Sequence, residues 1–434
     1  MSDFQQQALQ LAAQQQTPVW LSNVRAQAAN DWSSAIWPTR KTEHWKNVSF
    51  ASLQKNLPVQ WAVLNNDWES SVELIPLDAT RIVFVNGVFD ERKSSSDFPD
   101  EIVRFSQANS AQQAIITQHL GKVVEGKQHI FATLNNAWVD DGILIHVPRN
   151  SVLDKPVYVV HITTASEQTL SVNLRLLVVL EDSSQAEIVE HYVSTQEQQN
   201  SFVNTLSEFV VGNNATLQHY RLNLEDETSQ HVGAVHVNLM RSARMRGFTL
   251  ALGGVLKRID YQVNHCGQGA ELNLQGVYLP RNKQMVDYHS NVQHWVPNCT
   301  TSEVFRGIIA DSSQAIFNGR IYIHKDAQKT LAELSNKNLL TSHKAEVFTK
   351  PELEIYADDV KCAHGATVSQ LNATALYYLQ SRGVSRAEAE VMMSFGFINE
   401  LLQQIQEPVV HDYLLPRLAI LFGRDQALLT MAEE

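Results

Sequence analysis

The sequence predicts a mainly β protein, with a parallel β-helix core over residues 141–366 set between α-helical domains at 1–140 and 367–434. Three observations carry that expectation. Short runs of alternating apolar and polar residues fill the middle of the chain, as at 142–148 and 174–180, and a period of two marks a strand. A small polar turn, an alanine and a new strand return there at a near-constant interval. After Thr367 the pattern changes to that of amphipathic helices.

Residues 1 to about 75 read as mostly helical and rich in Gln and Ala, broken by Pro18 and Pro38. Six tryptophans fall in this stretch, at Trp20, Trp32, Trp37, Trp45, Trp61 and Trp68; such a density suits a core or a docking surface better than a cofactor box. Lys41-Thr42-Glu43-His44-Trp45-Lys46 mixes charge with one large aromatic and fits a surface contact. No reaction requires those types at that spacing. In Arg81-Ile82-Val83-Phe84-Val85-Asn86-Gly87-Val88-Phe89 an Asn-Gly pair between apolar runs predicts a hairpin. Helical stretches at roughly 107–120 and 127–138 separate it from the main tract.

The repeat defines that tract. Ser183-Ser184-Gln185-Ala186, Gly212-Asn213-Asn214-Ala215, Gly267-Gln268-Gly269-Ala270, Ser312-Ser313-Gln314-Ala315 and Ser342-His343-Lys344-Ala345 share one pattern, with a weaker copy ending at Ala243. Successive alanines lie 29, 28, 27, 45 and 30 residues apart. Strands that return at such an interval with no helix between them predict coils stacked into a solenoid. A β-sandwich would bring a strand back every 8–12 residues or so under hairpin turns.

Thr367-Val368-Ser369-Gln370 fits a capping box, followed by Leu371, Ala375 and Leu379 on one face and a stop at Gly383. Ser385-Arg386-Ala387-Glu388 is a second box. Behind it Val391, Phe395, Ile398, Leu402 and Ile405 form one apolar stripe before Pro408. A third helix, about 410–422, runs through Leu414, Leu418 and Leu421 to Gly423. These helices suit either a cap on the solenoid end or a docking handle.

At the junction, Cys362 and His364 alternate on a strand and share a face, roughly 6.5–7 Å apart at Cα. Thiolate and imidazole together suit zinc or an iron–sulfur centre. Two ligands do not complete a site, so the rest must come through the fold or from another chain. The competing reading is a buried cysteine beside a hydrogen-bonded histidine. Elsewhere His265, His289 and His294 read as solvated or hydrogen-bonded residues of a β-surface.

The totals exclude several classes. A net charge of −12 without a basic stripe argues against a nucleic-acid partner. No run nears the roughly 20 apolar residues of a membrane span, and no secretory signal is visible at Met1. Cys266, Cys299 and Cys362 make no disulfide framework, so a reducing, cytoplasmic setting is expected. There is no P-loop, no Gly-x-Ser-x-Gly and no Ser/His/Asp arrangement, so a self-sufficient enzyme is not expected.

Lys41-Thr42-Glu43-His44-Trp45-Lys46, Ala270-Glu271-Leu272-Asn273-Leu274-Gln275-Gly276, Phe305-Arg306-Gly307, Phe317-Asn318-Gly319-Arg320-Ile321 and, above all, Lys361-Cys362-Ala363-His364-Gly365-Ala366-Thr367 occur in the order of one family. With them the whole chain resembles the SufB/SufD family of iron–sulfur scaffold proteins, nearer its SufD branch. That resemblance implies a right-handed parallel β-helix flanked by helical domains. It implies a complex in which the chain pairs with SufB through the β-helix and binds the ATPase SufC through C-terminal helices, with a homodimer in isolation. It places a transient iron–sulfur cluster at the SufB interface, with His364 as the metal-site residue shared with SufB and Cys362 beside it. A reduced flavin in the complex is a further implication. The alternative within this resemblance is a purely structural partner that positions SufB and SufC, with all cluster chemistry on SufB.

Overall fold

The computed structural model describes residues 2–421 except 16, 40, 56–59, 64–67, 69–70, 125–128, 167–168 and 196–199. Two ten-stranded sheets face each other as a parallel β-solenoid of about seven turns. Sheet A contains Ile102–Arg104, Ile143–Val147, Leu170–Leu180, Ser201–Val211, Gln230–Leu239, Leu256–His265, Met285–His294, Gln314–Ile323 and Glu346–Ile355, joined by the short Gln60–Trp61. Sheet B begins with the hairpin Thr80–Val85 and Val88–Phe89. It continues through Val157–Thr163, Gln185–Ser194, Thr216–Asn223, Arg244–Leu252, Glu271–Leu279, Thr300–Ile309, Leu331–Leu340 and Lys361–Gln370. The chain alternates between the sheets, so each turn adds one strand to each. The predicted hairpin is present, with Asn86 and Gly87 both at positive φ. Its first strand also pairs in parallel with Val157–Thr163, which joins it to the solenoid.

The repeat has a stereochemical cause. Six successive corners leading into sheet B each hold one left-handed residue: Ser183, Asn214, Ser242, Gly269, Asn298 and Lys329, with φ between 55° and 73°. A small residue then turns inward, and Ala215, Ala243 and Ala270 stack there in consecutive turns. Ala315 and Ala345 belong instead to sheet A, one inside Gln314–Ile323 and the other just before Glu346–Ile355. The 45-residue step in the alanine series is therefore a change of corner, one and a half turns, and not an irregular coil.

Inward-facing side chains of both sheets form one long core, Ile188, Leu217 and Leu274 among them. A polar cluster interrupts it, where Glu190 accepts from His219 at 2.8 Å and Lys257 donates to Glu225 at 2.8 Å. The outer faces are covered too. Helices α1 (Asp3–Gln14), α2 (Ser22–Ser34), α3 (Ala51–Lys55), α4 (Ser110–His119) and α5 (Ile130–Trp138) make up the N-terminal helical part. Phe4, Trp32, Trp45, Phe131 and Trp138 pack there on Phe202, Val232 and Leu256 of sheet A, so most of the tryptophan-rich segment is core. The extended stretch around 71–79 shows that the N-terminal part is less helical than its composition suggests.

After the last strand come α6 (Ala373–Ser381), α7 (Arg386–Leu402) and α8 (Pro408–Leu421). The capping box expected at Thr367 does not form, because Lys361–Gln370 remains a strand through Gln370. The cap is Asn372, whose side chain accepts from the Ala375 N–H at 3.0 Å. Ser385 and Glu388 do form the second box. The stripe Val391, Phe395, Ile398, Leu402 and Ile405 is buried against the outer face of sheet B with Phe248, Val277 and Ile308. These helices clamp the flank of the solenoid, and among the described residues none covers its C-terminal end. The stop expected at Gly423 lies outside the described residues.

Candidate functional site

The uncovered end is where the predicted site residues lie. Among the described residues, strand Lys361–Gln370 pairs on one side only, and its other edge offers backbone donors and acceptors. Cys362, His364 and Ala366 are register partners of Ala332, Leu334 and Asn336, all buried in the rung beneath. Alternation therefore turns Cys362 and His364 to the same inward side, as their spacing requires. His364 is exposed; Cys362 is half-buried, and burial raises its thiol pKa. Gly365, next after His364, faces open space, with no atom within 4 Å of an added Cβ. Among the described residues, neither belongs to a group of three or more His, Cys or carboxylate side chains close enough to hold a metal. Two side chains alone do not complete a metal site.

Its surroundings are apolar and open. Phe348, Ile355, Tyr356 and Val368 are exposed around this end, and α6 exposes Tyr377 and Tyr378. The last strand of sheet A, Glu346–Ile355, carries Pro351 and the Lys350–Glu43 and Arg320–Glu354 ion pairs, devices that discourage edge pairing. The last strand of sheet B has no proline.

The other sequence motifs have structural roles. Trp45 is buried, with the Arg258 guanidinium 3.7 Å from its ring centroid, while Arg258 donates to the His44 carbonyl at 2.7 Å. The expected surface contact is thus corrected for Trp45; Lys41, Glu43 and His44 stay exposed. Beside it opens a polar cavity of about 470 Å³ lined by His44, His129, Arg258, Asp260, His289 and Arg320. The motif glycines seat aromatic rings of adjacent turns: a Cβ on Gly276 would lie 2.2 Å from Phe305, and one on Gly307 would lie 2.0 Å from Tyr278.

Sequence reasoning passed over His265 and His294, which the fold stacks as register partners. A signal was available: they are 29 residues apart, one turn of the repeat.

Family comparison accounts for nearly the whole chain. The profile of the SUF system FeS cluster assembly SufBD core domain matches residues 161–397, and that of the SufBD protein N-terminal region matches 2–159. The chain belongs to the SufBD family. It is 31% identical over 397 residues to an iron-sulfur cluster assembly SufBD family protein of Synechocystis, covering 89% of this chain and 87% of that one. It is 28% identical to the iron-sulfur cluster assembly protein SufD of Escherichia coli over 383 residues, with 88% of each covered. The SufD of Bacillus subtilis is 27% identical over 404 residues, covering 90% of this chain and 91% of that protein. As a SufBD protein the chain is an iron–sulfur cluster assembly protein; the core profile covers most of the solenoid and runs on into the C-terminal helices. Among the described residues no helix is long and apolar enough to cross a membrane.

Proposed function

We propose that this SufBD protein is a SufD-type, non-ATPase scaffold subunit that assembles iron–sulfur clusters with SufB and the ATPase SufC in the cytoplasm. One observation carries the reading: among the described residues nothing covers the last turn of the solenoid, which presents His364 and Cys362 inside a rim of exposed apolar side chains. A second solenoid end, that of SufB, supplies the missing rung by edge pairing and the missing thiolate ligands, and the nascent cluster is cargo between them. His364 serves as the neutral imidazole ligand on this side. SufC docks on the C-terminal helices, where the buried stripe of α7 leaves α6 and its two tyrosines free. The same rim lets two copies pair when SufB is absent. A reduced flavin as electron source belongs to the proposal on family grounds alone.

The test is co-purification of the chain with SufB and SufC, recording iron, sulfide and the visible spectrum after anaerobic assembly. The expected result is a stable complex that gains cluster absorption, while the isolated chain does not. Stoichiometric cluster on the isolated chain would overturn the shared-site reading.

A further inference from the structure

His265 and His294 end successive strands of sheet A as register partners, with rings stacked 4.2 Å apart and 11° from parallel. Across the solenoid interior, the Thr301 hydroxyl lies 2.9 Å from His265 Nε2 and 3.0 Å from His294 Nε2. Two residues before Thr301, Cys299 fills the corner that Ala215, Ala243 and Ala270 occupy in the three preceding turns. All four side chains are buried. One ligand atom from each of His265, His294 and Cys299 falls within 4.8 Å of the other two.

Packing alone does not account for this group. Alanine suffices at the same corner in three turns, and buried polar atoms are ordinarily satisfied. Here neither Nδ1 atom meets a partner of good geometry, although the Ala270 backbone lies near the His265 ring. A neutral imidazole keeps one nitrogen lone pair for a metal. Thr301 holds both rings through an oxygen, the kind of contact that orients metal-bound imidazoles.

We propose that His265, His294 and Cys299 form a closed site, two nitrogens and one sulfur, for a borderline divalent cation of the zinc class. These are the ligand types such an ion takes, with a fourth position left for a water or hydroxyl oxygen. Burial raises the Cys299 thiol pKa, so binding releases one proton, from Cys299 Sγ to solvent. The bound ion and thiolate leave one net positive charge. Glu303 sits on the same inward side two residues beyond Thr301, about 6.5–7 Å on at Cα. Its buried carboxylate has no well-formed partner and only the Ser290 hydroxyl near it, which suits that charge. Access is short, because the residues following the two histidines, Cys266 and Trp295, are exposed.

The test titrates the metal-stripped, full-length chain with Co²⁺ as the spectroscopic probe. The expected result is uptake of one equivalent with tetrahedral absorption and a thiolate-to-cobalt charge-transfer band, displaced by Zn²⁺. Cys299→Ala installs the residue of the preceding turns and so keeps the fold; it loses the band and weakens binding more than about tenfold. His294→Gln lowers affinity while its far-ultraviolet dichroism stays native. A Cys362→Ala/His364→Ala variant keeps stoichiometry and spectrum, so failure of the cluster-interface reading leaves this site standing. Absence of stoichiometric uptake by the wild-type chain, or a charge-transfer band that survives Cys299→Ala, overturns the proposal.

Discussion

His364 stands directly over Leu334 in the sheet B ladder, yet Leu334 is 2% exposed while His364 is open to solvent. The contrast comes from one missing rung. Inward-facing positions of the preceding sheet B strands are covered by the strand that follows, and among the described residues this one is not. Among the described residues no strand pairs with the outer edge either, so the end is a template for strand addition. Apolar area covered there contributes roughly 25 cal/mol per Å² before association costs.

Charges placed on the rim should block that addition without unfolding the chain. Val368→Lys combined with Phe348→Lys alters two exposed side chains and removes little buried area. Binding to SufB, measured by calorimetry or pull-down, is expected to weaken at least about tenfold, with the melting temperature within a few degrees of the parent. Unchanged binding would move the interface elsewhere.

The ATPase contact should be separable from it. Deleting everything after Thr367 is a poor test, because α7 and α8 cover the outer face of sheet B and their loss would expose that apolar surface. Tyr377→Asp with Tyr378→Asp changes only the exposed face of α6. The expected outcome is loss of SufC retention with SufB binding intact.

Gly276→Ala should destabilise by roughly 1–3 kcal/mol, since its new Cβ would lie 2.2 Å from the Phe305 ring. The two residues are register partners, so Phe305→Leu in the same chain should recover part of the loss. Denaturant midpoints of the single and double variants measure the coupling. Equal midpoints for Gly276→Ala and the parent would show that the ring yields freely.

How much of this was legible depends on whether the signal was periodic or merely local. The solenoid was readable because a left-handed residue and a small inward one recur at successive corners into sheet B, as at Asn214-Ala215 and Ser242-Ala243. The two corner types were not distinguishable, since Ala315 and Ala345 carry a similar pattern into the other sheet. Thr367-Val368-Ser369-Gln370 satisfied a helix-start pattern, but pairing with Asn338, Leu339 and Leu340 keeps that segment extended. A local motif lost to a ladder that short-range reasoning cannot see. Likewise Cys362 and His364 could be placed on one face from spacing, whereas their exposure depends on where the helices fold back. His265 and His294 become neighbours only once 29 residues is recognised as one turn.

Glu303 predicts an unusual pH dependence in the metal-free chain. Burial pushes its carboxyl up to about 7, although the Ser290 hydroxyl acts in the opposite direction. The folded state therefore holds a proton that the unfolded chain releases near the ordinary value of about 4.3. Stability contributed by this group is complete below that value and is lost as pH rises toward 7. Glu303→Gln mimics the protonated form, so it should gain roughly 2–3 kcal/mol over the parent at pH 8 and almost nothing at pH 4. Denaturant unfolding at the two pH values measures it; an equal effect at both would exclude titration of Glu303 as the cause.

His364→Ala should abolish cluster formation in the complex while leaving the complex itself intact. The side chain is exposed, lies beside a glycine in open space and shares no metal-sized cluster with other described residues, so removing it forfeits little buried area. Folding and assembly should survive, with less than about 0.5 kcal/mol change in stability. On the shared-site reading, the variant lacks an imidazole ligand and would leave a SufB thiolate without its counterpart. Cys362→Ser separates the two residues. Cys362 is half-buried over Ala332, and burial raises its thiol pKa, so it is the poorer ligand until a metal displaces its proton. A site built on both predicts loss of iron, sulfide and visible absorption in either variant; a site built on His364 alone predicts loss only in the first. Normal cluster content in a fully assembled His364→Ala complex would remove this chain from the ligand set and leave it as the structural partner of SufB and SufC.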